Sequence, residues 1–415
     1  MDITNKRFCI IGLGISGYET AVFLNKHKAS VFVTEQKISK DIEKFAVKLR
    51  RQKIECEIGG HNFYKMREAD IIVVSPGVPP RSQIIEALKR EKKKMISEIE
   101  LASWFYKGTM IGVTGTNGKT TVTTLIAEAL KNDGRNAKAC GNIGNPFISI
   151  VDKMAENSYA VIELSSFQLY YSQRLRLHIG IVLNVAPDHF DWHTGMDEYV
   201  RSKCKIFRSQ TAKDVAVINH RERNDIERYI KNVRSRKVYF NKGNVFIDPN
   251  FDCMSTVANV LGVKEAAIKR TVKGFKGIEH RMEFAGKRHN VTFINDSKST
   301  SPHSLEWALK RCKDKVVLIC GGKNKGVSFE PLRESVTKKV KALVAMGECQ
   351  QEIEQALGSC VPTARVNSLK EAIITALKYA QSGDTILFSP ACASFDMFKN
   401  YKDRGKKFKG LVARV

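Results

Sequence analysis

Short runs of apolar residues, most of them ending in a glycine-rich or polar turn, recur along this chain. Such runs are typical of strands that are buried on both faces of a parallel sheet. Segments with helical periodicity lie between them, as after Gly17 and after Lys119. The alternation predicts the α/β class. The predicted strands are Arg7–Ile11, Ser30–Thr34, Ile71–Val74, Met110–Val113, Ala160–Ile162, Ile179–Leu183, Val291–Asn295, Val316–Cys320, Ala342–Met346 and Thr385–Ser389.

The predicted strands fall into three blocks, and a chain of 415 residues is long enough for two or three domains. We expect one domain over residues 1–107, a second over 108–277 and a third over 278–415. The first and third patterns predict Rossmann-like α/β domains. The second predicts a mostly parallel sheet of the P-loop ATPase type.

The stretch from Gly115 to Thr121 carries the most specific chemistry in the sequence. It lies between an apolar strand and an amphipathic segment, which is the strand–loop–helix context of a phosphate-binding loop. Val113 stands where the strict phosphate-loop pattern has its first glycine. The alternative interpretation of this stretch is an ordinary polar turn. We predict ATP binding, with Lys119 reaching the phosphates and the Thr120 hydroxyl binding Mg²⁺. The predicted loop residues are Gly115, Thr116, Asn117, Gly118, Lys119, Thr120 and Thr121.

Metal-binding residue types follow two other predicted strands of the central block. Glu163 follows one strand, and His189 follows the next along the chain. The carboxyl ends of parallel strands meet at one edge of a sheet, so both side chains are expected beside the phosphate loop. Each of them taken alone could equally be structural. Together they are candidates for Mg²⁺ sites.

A second glycine loop, Gly12-Leu13-Gly14-Ile15-Ser16-Gly17, follows the first strand, and Glu35 ends the next. This spacing matches the dinucleotide-binding fingerprint, so an NAD(P)-dependent oxidoreductase is one alternative. That function would leave the phosphate loop, Glu163 and the third block unexplained.

Composition adds little to this picture. The net charge is +26, from 69 basic and 43 acidic residues, and the lysines are spread along the whole chain. We interpret this as a solvated basic surface that requires no nucleic acid, although a polyanion-binding protein remains an alternative. The ten cysteines are spaced singly, as in reduced proteins. No secretory leader and no apolar run long enough for a membrane span is evident, so we expect a cytoplasmic protein.

The motifs of all three blocks, taken in order, resemble those of the Mur ligase family. The resemblance spans nearly the whole chain, and its last motif is similar to that of the members that add D-glutamate. The matching stretches are Gly12-Leu13-Gly14, Gly115–Thr121, Gly141-Asn142-Ile143-Gly144, Glu163–Gln168, Asp188-His189, His280-Arg281, Ser389–Tyr401 and Arg404-Gly405.

The resemblance implies an ATP-dependent ligase of peptidoglycan precursor synthesis, acting as a monomer. ATP would phosphorylate the alanine carboxylate of UDP-N-acetylmuramoyl-L-alanine, and the amine of D-glutamate would displace phosphate from the acyl phosphate. A sister ligase that takes another amino acid is the alternative within this class.

The resemblance also implies roles for individual residues. Lys119, His189 and Lys203 are the implied catalytic residues; Lys203 would carry a CO₂-derived carbamate, and Lys205 is the nearest alternative for it. Two Mg²⁺ sites would use Thr120, Glu163, His189 and Lys203. ATP would also contact Asn250, Arg281 and Asp296. The implied UDP-substrate residues are Gly14, Ile15, Ser16, Glu35, Gln36, Lys37, Ser75, Pro76, Gly77, Asn142, Ser165 and Gln168. Those implied for D-glutamate are Thr300, Lys325, Ser394, Phe395 and Tyr401.

The sequence departs from the family pattern at two places. Glu35-Gln36-Lys37 stands where an Asp-Thr-Arg-like triplet usually contacts uracil, which removes a guanidinium group. In the adenine-contact segment only Asn250 matches, and Phe246-Ile247 replaces a His-Asn pair. Weaker or less selective adenine binding is expected.

Overall fold

The structure is a computed structural model, and it describes residues 3–190, 192–243 and 248–415. The chain divides into two compact units. The first comprises Met1–Val185 and Trp192–Phe275, and the second comprises Ala186–Asp191 and Lys276–Val415.

The first unit begins with a five-stranded parallel sheet in the order β3-β2-β1-β4-β5. Phe8 pairs with Val31 on one side and with Ile71 on the other, so the first strand lies at the centre. The strands are β1 (Arg7–Ile11), β2 (Ser30–Glu35), β3 (Glu55–Ile58), β4 (Ile71–Val74) and β5 (Met95–Ile96). The helices are α1 (Ile15–Lys26), α2 (Lys40–Arg51), α3 (Phe63–Glu68), α4 (Gln83–Arg90) and α5 (Glu98–Ser103).

A second parallel sheet completes the first unit, in the order β11-β10-β9-β6-β8-β7. The strands are β6 (Thr109–Thr114), β7 (Ala137–Gly141), β8 (Tyr159–Glu163), β9 (Ile179–Val182), β10 (Val215–Asn219) and β11 (Arg236–Phe240). The helices are α6 (Lys119–Asn132), α7 (Ser166–Tyr170), α8 (Met196–Cys204), α9 (Arg223–Glu227), α10 (Pro249–Val260) and α11 (Glu265–Gly274).

The second unit contains a six-stranded sheet in the order β12-β13-β17-β14-β15-β16. Only the edge strand β12 is antiparallel to its neighbour among the pairs described for this sheet. The strands are β12 (Glu283–Arg288), β13 (Val291–Asn295), β14 (Val316–Gly321), β15 (Val340–Met346), β16 (Thr363–Val366) and β17 (Thr385–Phe388). The helices are α12 (Pro302–Arg311), α13 (Arg333–Lys339), α14 (Gln350–Leu357), α15 (Leu369–Tyr379) and α16 (Tyr401–Val412).

Burial on both faces explains the apolar runs in the sequence. Every residue of β4, β9, β10 and β14 is buried, because helices cover both sides of each sheet. The predicted α/β class with three mostly parallel sheets is confirmed. The domain limits near residues 108 and 278 stay predictions.

None of the helices in the described part of the chain has the length and apolar character needed to cross a membrane.

Candidate functional site

The predicted phosphate loop connects the central strand β6 to helix α6, as its sequence indicates. Gly118 closes the loop with φ +83°, a backbone conformation that favours glycine. A Cβ atom there would lie 2.6 Å from Oδ1 of Asn250. The glycine therefore meets two requirements, since it permits the turn and leaves room for a neighbouring side chain.

The side chain of Asn184 holds this loop in shape. Its Oδ1 accepts hydrogen bonds from the backbone N–H groups of Thr116 (3.1 Å) and Asn117 (2.8 Å), and its Nδ2 donates to the carbonyl of Asn117 (3.1 Å). Asn184 comes directly after the apolar run of β9. No role was predicted for Asn184, although its position at the end of a strand was a usable signal in the sequence.

Lys119, the first residue of α6, extends back over the loop. Its Nζ donates to the carbonyls of Gly115 (2.8 Å) and Thr116 (2.9 Å). The ammonium group therefore lies within the turn itself, where a bound phosphate would be attracted to it.

Glu163, at the end of β8, joins the loop to two further predicted residues. Its Oε2 accepts from the Thr120 hydroxyl (2.8 Å), and its Oε1 accepts from Nδ2 of Asn142 (2.9 Å). Both Thr120 and Glu163 are buried. A hydroxyl beside a carboxylate supplies the oxygen ligands that Mg²⁺ prefers, with substrate phosphates and water as the remaining ligands. No group of three or more His, Cys, Asp or Glu residues able to hold a metal ion occurs within the described ranges.

Lys203, on α8, also reaches the phosphate loop. It is almost fully buried, and its Nζ donates to the carbonyl of Gly115 (2.8 Å) and lies 4.5 Å from the ring centroid of Tyr199. Lys205 instead donates to the carbonyl of Tyr170. Burial lowers the pKa of Lys205 to about 8. Of these two lysines, Lys203 is therefore the one beside the loop.

His189 belongs to the second unit and is described with it. Its backbone adopts φ +59°, and its N–H donates to Oδ1 of the adjacent Asp188 (2.9 Å). Nε2 of His189 lies 3.5 Å from Oδ2 of Asp188. Its pairing with Lys203 at a second Mg²⁺ site stays a prediction.

A cavity of about 780 Å³ lies at the carboxyl edge of the first sheet. Glu35, Gln36, Lys37 and Gly77, all predicted to bind the UDP substrate, line it. The Glu35 carboxylate accepts from the backbone N–H groups of Leu13 (2.9 Å) and Lys37 (2.8 Å). This carboxylate therefore ties the glycine loop to the segment after β2.

The other residues predicted to bind the UDP substrate in this part of the chain lie at the start of α1 and directly after β4. Gly14 is the N-cap of α1, Ile15 is exposed, and the Ser75 hydroxyl donates to the carbonyl of Gly12 (3.0 Å), with Pro76 directly after it. His61 and Phe63, for which no role was predicted, also line the cavity. Nδ1 of His61 lies 2.8 Å from the Thr34 hydroxyl, and burial lowers the pKa of His61. His61 and Phe63 follow β3 and the pair Gly59-Gly60, but β3 itself was not predicted because it lacks a continuous apolar run.

Ser165 and Gln168 use their side chains to begin helix α7. Ser165 accepts from the Gln168 N–H, while Oε1 of Gln168 accepts from the Ser165 N–H and hydroxyl, which forms a capping box. Nε2 of Gln168 also donates to Oε1 of Glu98 (3.3 Å). These polar atoms have structural partners already, so any substrate role would be shared with the capping role.

Glu98 is a buried carboxyl for which no role was predicted. Burial raises its pKa from 4.5 to about 7, because the charged form is poorly solvated there. Gln168 and the Ser16 hydroxyl oppose this shift without cancelling it. Ser16 and Gln168 therefore share Glu98 as a neighbour.

In the second unit, Asp296 follows β13 and is fully buried. It accepts from the Ser389 hydroxyl (2.8 Å) and from the Met282 N–H (3.2 Å). Burial raises its pKa to about 6, and the positive charge of Arg281 opposes this shift. Arg281 and Asp296, predicted to contact ATP, are thus neighbours.

The residues predicted to bind D-glutamate belong to several loops of the second unit. Ser394 is buried and Phe395 is 71% exposed, whereas Thr300, Lys325 and Tyr401 are half-buried. Arg404, which had no predicted role, supports the loop before Ser394: its Nη1 donates to the carbonyls of Cys392 (3.1 Å) and Ala393 (3.3 Å). Burial lowers the pKa of Arg404 to about 10.

Asn250, the residue retained from the adenine-contact pattern, lies in the first turn of α10. Its N–H and its Nδ2 both donate to Oδ1 of Asp248 (2.9 Å each). Phe246 and Ile247 lie outside the described residues.

Comparison with protein families gives three matches in chain order. Residues 6–97 match the Mur ligase MurD-like N-terminal domain, residues 113–292 the Mur ligase middle domain, and residues 280–392 the Mur ligase glutamate ligase domain.

Two curated relatives are similar over their whole lengths. The UDP-N-acetylmuramoylalanine--D-glutamate ligase of Chloroherpeton thalassium is 37% identical and covers 100% of this chain and 99% of the relative. The enzyme of the same name from Geobacter sp. strain M21 is also 37% identical, and the match covers 99% of this chain and 98% of that relative.

Two solved structures share the fold at low identity. MurF ligase from Thermotoga maritima, in complex with ADP, has a TM-score of 0.62 at 16% identity and covers both chains completely. UDP-N-acetylmuramate-alanine ligase MurC from the same organism has a TM-score of 0.58 at 17% identity, covering 99% of each chain.

Proposed function

This chain belongs to the Mur ligase family, and from that premise we propose that it is the ligase that joins D-glutamate to UDP-N-acetylmuramoyl-L-alanine. The reaction consumes ATP and forms an amide bond in peptidoglycan precursor synthesis. The sequence alternatives, an oxidoreductase and a polyanion-binding protein, do not fit this family.

The observation that carries the proposal is the contact between Thr120 and Glu163 beside the loop that holds Lys119. It brings a cation, a hydroxyl and a carboxylate to the end of the central strand. Transfer of a phosphoryl group places several negative charges in one small space, so catalysis depends on preorganised positive charge and on positioning.

Each of these residues has a role in that step. Lys119 binds the transferred phosphoryl oxygens, and the loop N–H groups orient the rest of the triphosphate. Thr120 and Glu163 would hold Mg²⁺, which supplies further neutralising charge when bound. Asn142 keeps the Glu163 carboxylate in place through its hydrogen bond.

The alanine carboxylate attacks the terminal phosphorus of ATP, the bond to ADP breaks, and an acyl phosphate forms. The D-glutamate amine then attacks the acyl carbon, and phosphate leaves. Activation is needed because a free carboxylate is a poor electrophile. The cavity at Glu35 and Lys37 accepts the UDP end, and the Ser394 and Lys325 region accepts the carboxylates of D-glutamate.

We further propose that Lys203 functions as a carbamate. Its ammonium group and that of Lys119 both donate to the carbonyl of Gly115. Two like charges on one oxygen repel each other. Conversion of the Lys203 amine to an anionic carbamate relieves this repulsion and supplies oxygen atoms that can bind Mg²⁺.

Phosphate release with purified protein, ATP, Mg²⁺ and UDP-N-acetylmuramoyl-L-alanine tests the function directly. D-glutamate is compared with L-glutamate, L-lysine, meso-diaminopimelate and D-alanyl-D-alanine, and the product mass is measured. We expect release only with D-glutamate. Release that requires another amine would assign the chain to a sister ligase, and no release with any amine would contradict the proposal.

The carbamate is tested with Lys203→Ala. We expect ligation to fall strongly and short carboxylates such as acetate or formate to restore part of it. Lys205→Ala is the matched control because it changes the adjacent candidate on the chain. Full activity of the Lys203 variant would exclude the carbamate.

A further inference from the structure

Two buried thiols of the second unit lie in direct contact. Sγ of Cys349 is 3.1 Å from Sγ of Cys392, and each residue is only 1% exposed. The proposed ligation reaction uses neither of them.

Their backbone positions connect two loops of the sheet. Cys349 is the N-cap of α14, in the segment after β15, and its N–H donates to the carbonyl of Gly322 (3.0 Å). Cys392 lies after β17, two residues before Ser394. A bond between the two sulfurs would therefore join the β15 loop to the loop that carries Ser394 and Phe395.

The two thiols are not equivalent. The hydrogen bond from Cys392 lowers the pKa of Cys349, whereas the same contact and burial raise the pKa of Cys392. An acidified thiol next to a second thiol is the arrangement of a redox-active pair, in which the first is oxidised and the second resolves the product.

We propose that Cys349 and Cys392 are a site of reversible oxidation, forming a disulfide when a peroxide reaches the second unit. The Cys349 thiolate attacks hydrogen peroxide, the O–O bond breaks, and a sulfenic acid and hydroxide result. Hydroxide takes up the proton that the thiol released on ionising and becomes water. The Cys392 sulfur then attacks the sulfenic sulfur, the S–S bond forms, and a second water leaves. Two thiols lose two electrons, and the peroxide gains them. A dithiol reverses the reaction.

The geometry requires only a small displacement. A disulfide has a sulfur–sulfur distance of about 2.05 Å, so the sulfurs must approach by about 1 Å. The backbone around Cys392 is restrained, so the movement of its sulfur is passed on to the rest of the loop. Arg404 binds the carbonyls of Cys392 and Ala393, and Ala391 already has φ +60°, an uncommon conformation for alanine.

A functional consequence follows, and it rests on the proposed ligase function. Because Ser394 and Phe395 share this loop, the disulfide displaces two residues proposed to bind D-glutamate. We expect the KM for D-glutamate to rise several-fold in the oxidised protein, with the KM for ATP little changed.

Peptide mapping of the full chain tests the bond without relying on activity. The protein is treated with hydrogen peroxide, free thiols are blocked with iodoacetamide, and it is digested without reduction. We expect a cross-linked peptide joining residues 349 and 392 that disappears after dithiothreitol. Cys349→Ser should abolish it, whereas Cys360→Ser, a less buried cysteine in the same unit, should leave it intact.

The possible outcomes test the disulfide, its effect on D-glutamate binding and the ligase function separately. A bridge from Cys320 to Cys392, or over-oxidation of Cys349 without a bridge, would overturn the proposal. The wild-type result stands even if a variant fails to fold. A bridge with unchanged D-glutamate kinetics would overturn only the functional consequence. A reduced protein that lacks ligase activity would contradict the proposed function and leave the disulfide result valid.

Discussion

At the scale of single residues, the shared carbonyl of Gly115 is the most informative feature of the phosphate loop. Lys119 approaches it from α6 and Lys203 approaches it from α8. Lys119 supplies a positive charge that attracts phosphate to this turn, whereas the proposed carbamate on Lys203 would supply oxygen ligands for Mg²⁺ there. Two elements far apart in sequence thus meet at one turn.

Lys119→Ala is expected to lower ligation by about 10²-fold or more, because one charged donor to the transferred phosphoryl group is lost. Lys131→Ala, at the other end of the same helix, removes an exposed lysine and should leave the rate unchanged. Phosphate release and circular dichroism on both variants provide the measurement. Normal ligation by a folded Lys119 variant would exclude this lysine from catalysis.

Glu98 gives a pH prediction for stability. Its pKa is about 7 in the folded protein, against an ordinary value of 4.5, so the folded form retains a proton between these values that the unfolded form releases. The free energy of unfolding therefore falls as pH rises from 4.5 to 7, by a contribution that approaches about 3 kcal/mol. Glu98→Gln removes this contribution.

Urea unfolding of both proteins at about pH 5 and about pH 8 measures the effect. The glutamine side chain of the variant cannot ionise, so the variant should lose less stability than the wild type between the two pH values. Glu43→Gln, at an exposed position on α2, is the control and should follow the wild type. Equal pH dependence of the Glu98 variant and the wild type would show that this carboxyl does not titrate as expected.

The sequence predicted those site residues whose position follows a strand or a glycine motif. Glu163, Thr120 and Lys119 meet at the end of β6 because parallel topology brings strand ends together. Asn184 also follows a strand, but local spacing does not show its hydrogen bonds to the loop backbone. Glu98 and Arg404 carry no such signal, because their importance comes from burial and from contacts across the fold.

At the scale of elements, helix α16 packs closely against the segment before β12. Gly405 lies in the helix interior, where a Cβ atom would overlap Nδ1 of His280. His280 is buried, and Nδ2 of Asn295 lies 3.0 Å from the same nitrogen. The absence of a side chain at position 405 thus permits this approach.

Gly405→Ala should destabilise the protein by about 1–3 kcal/mol, since overpacking exceeds the gain in helix propensity. Gly410→Ala in the same helix is the matched control. Apart from the backbone of its own helix turn, no atom would lie within 4 Å of its new Cβ, so we expect it to stabilise by up to about 1 kcal/mol. Denaturant unfolding compares the two. A stabilising Gly405 variant would show that the histidine can move aside.

The strands that the sequence predicted are those covered on both faces, where a continuous apolar run is required. The edge strands β3, β5, β7, β11, β12 and β16 were missed, because each is partly exposed. Partly exposed strands carry charged residues such as Glu55 and Lys287, and β5 has only two residues. The strand β10 was also missed, although all of its residues are buried and its apolar run resembles those of the predicted strands.

At the scale of the whole molecule, the net charge of +26 has a kinetic consequence. The proposed substrates are all anions, and a positive surface attracts them before they reach the site. We expect kcat/KM for UDP-N-acetylmuramoyl-L-alanine to fall several-fold when salt rises from about 50 mM to about 300 mM, because added ions screen this attraction.

Steady-state kinetics across this salt range measures the effect, and sucrose at matched osmolality is the control. Sucrose should leave kcat/KM unchanged, apart from the small decrease that its viscosity causes. A ratio that is independent of salt would show that the positive charge does not contribute to substrate capture.

Each of the three sheets is built from its own uninterrupted stretch of strands, β1–β5, then β6–β11, then β12–β17. No strand is exchanged between sheets among the described elements. During synthesis at about 5–20 residues per second, the first sheet can therefore form on the ribosome while the later strands are still untranslated. Protein production thus delivers first the sheet that we propose binds the nucleotide sugar, and last the sheet that we propose binds the amino acid.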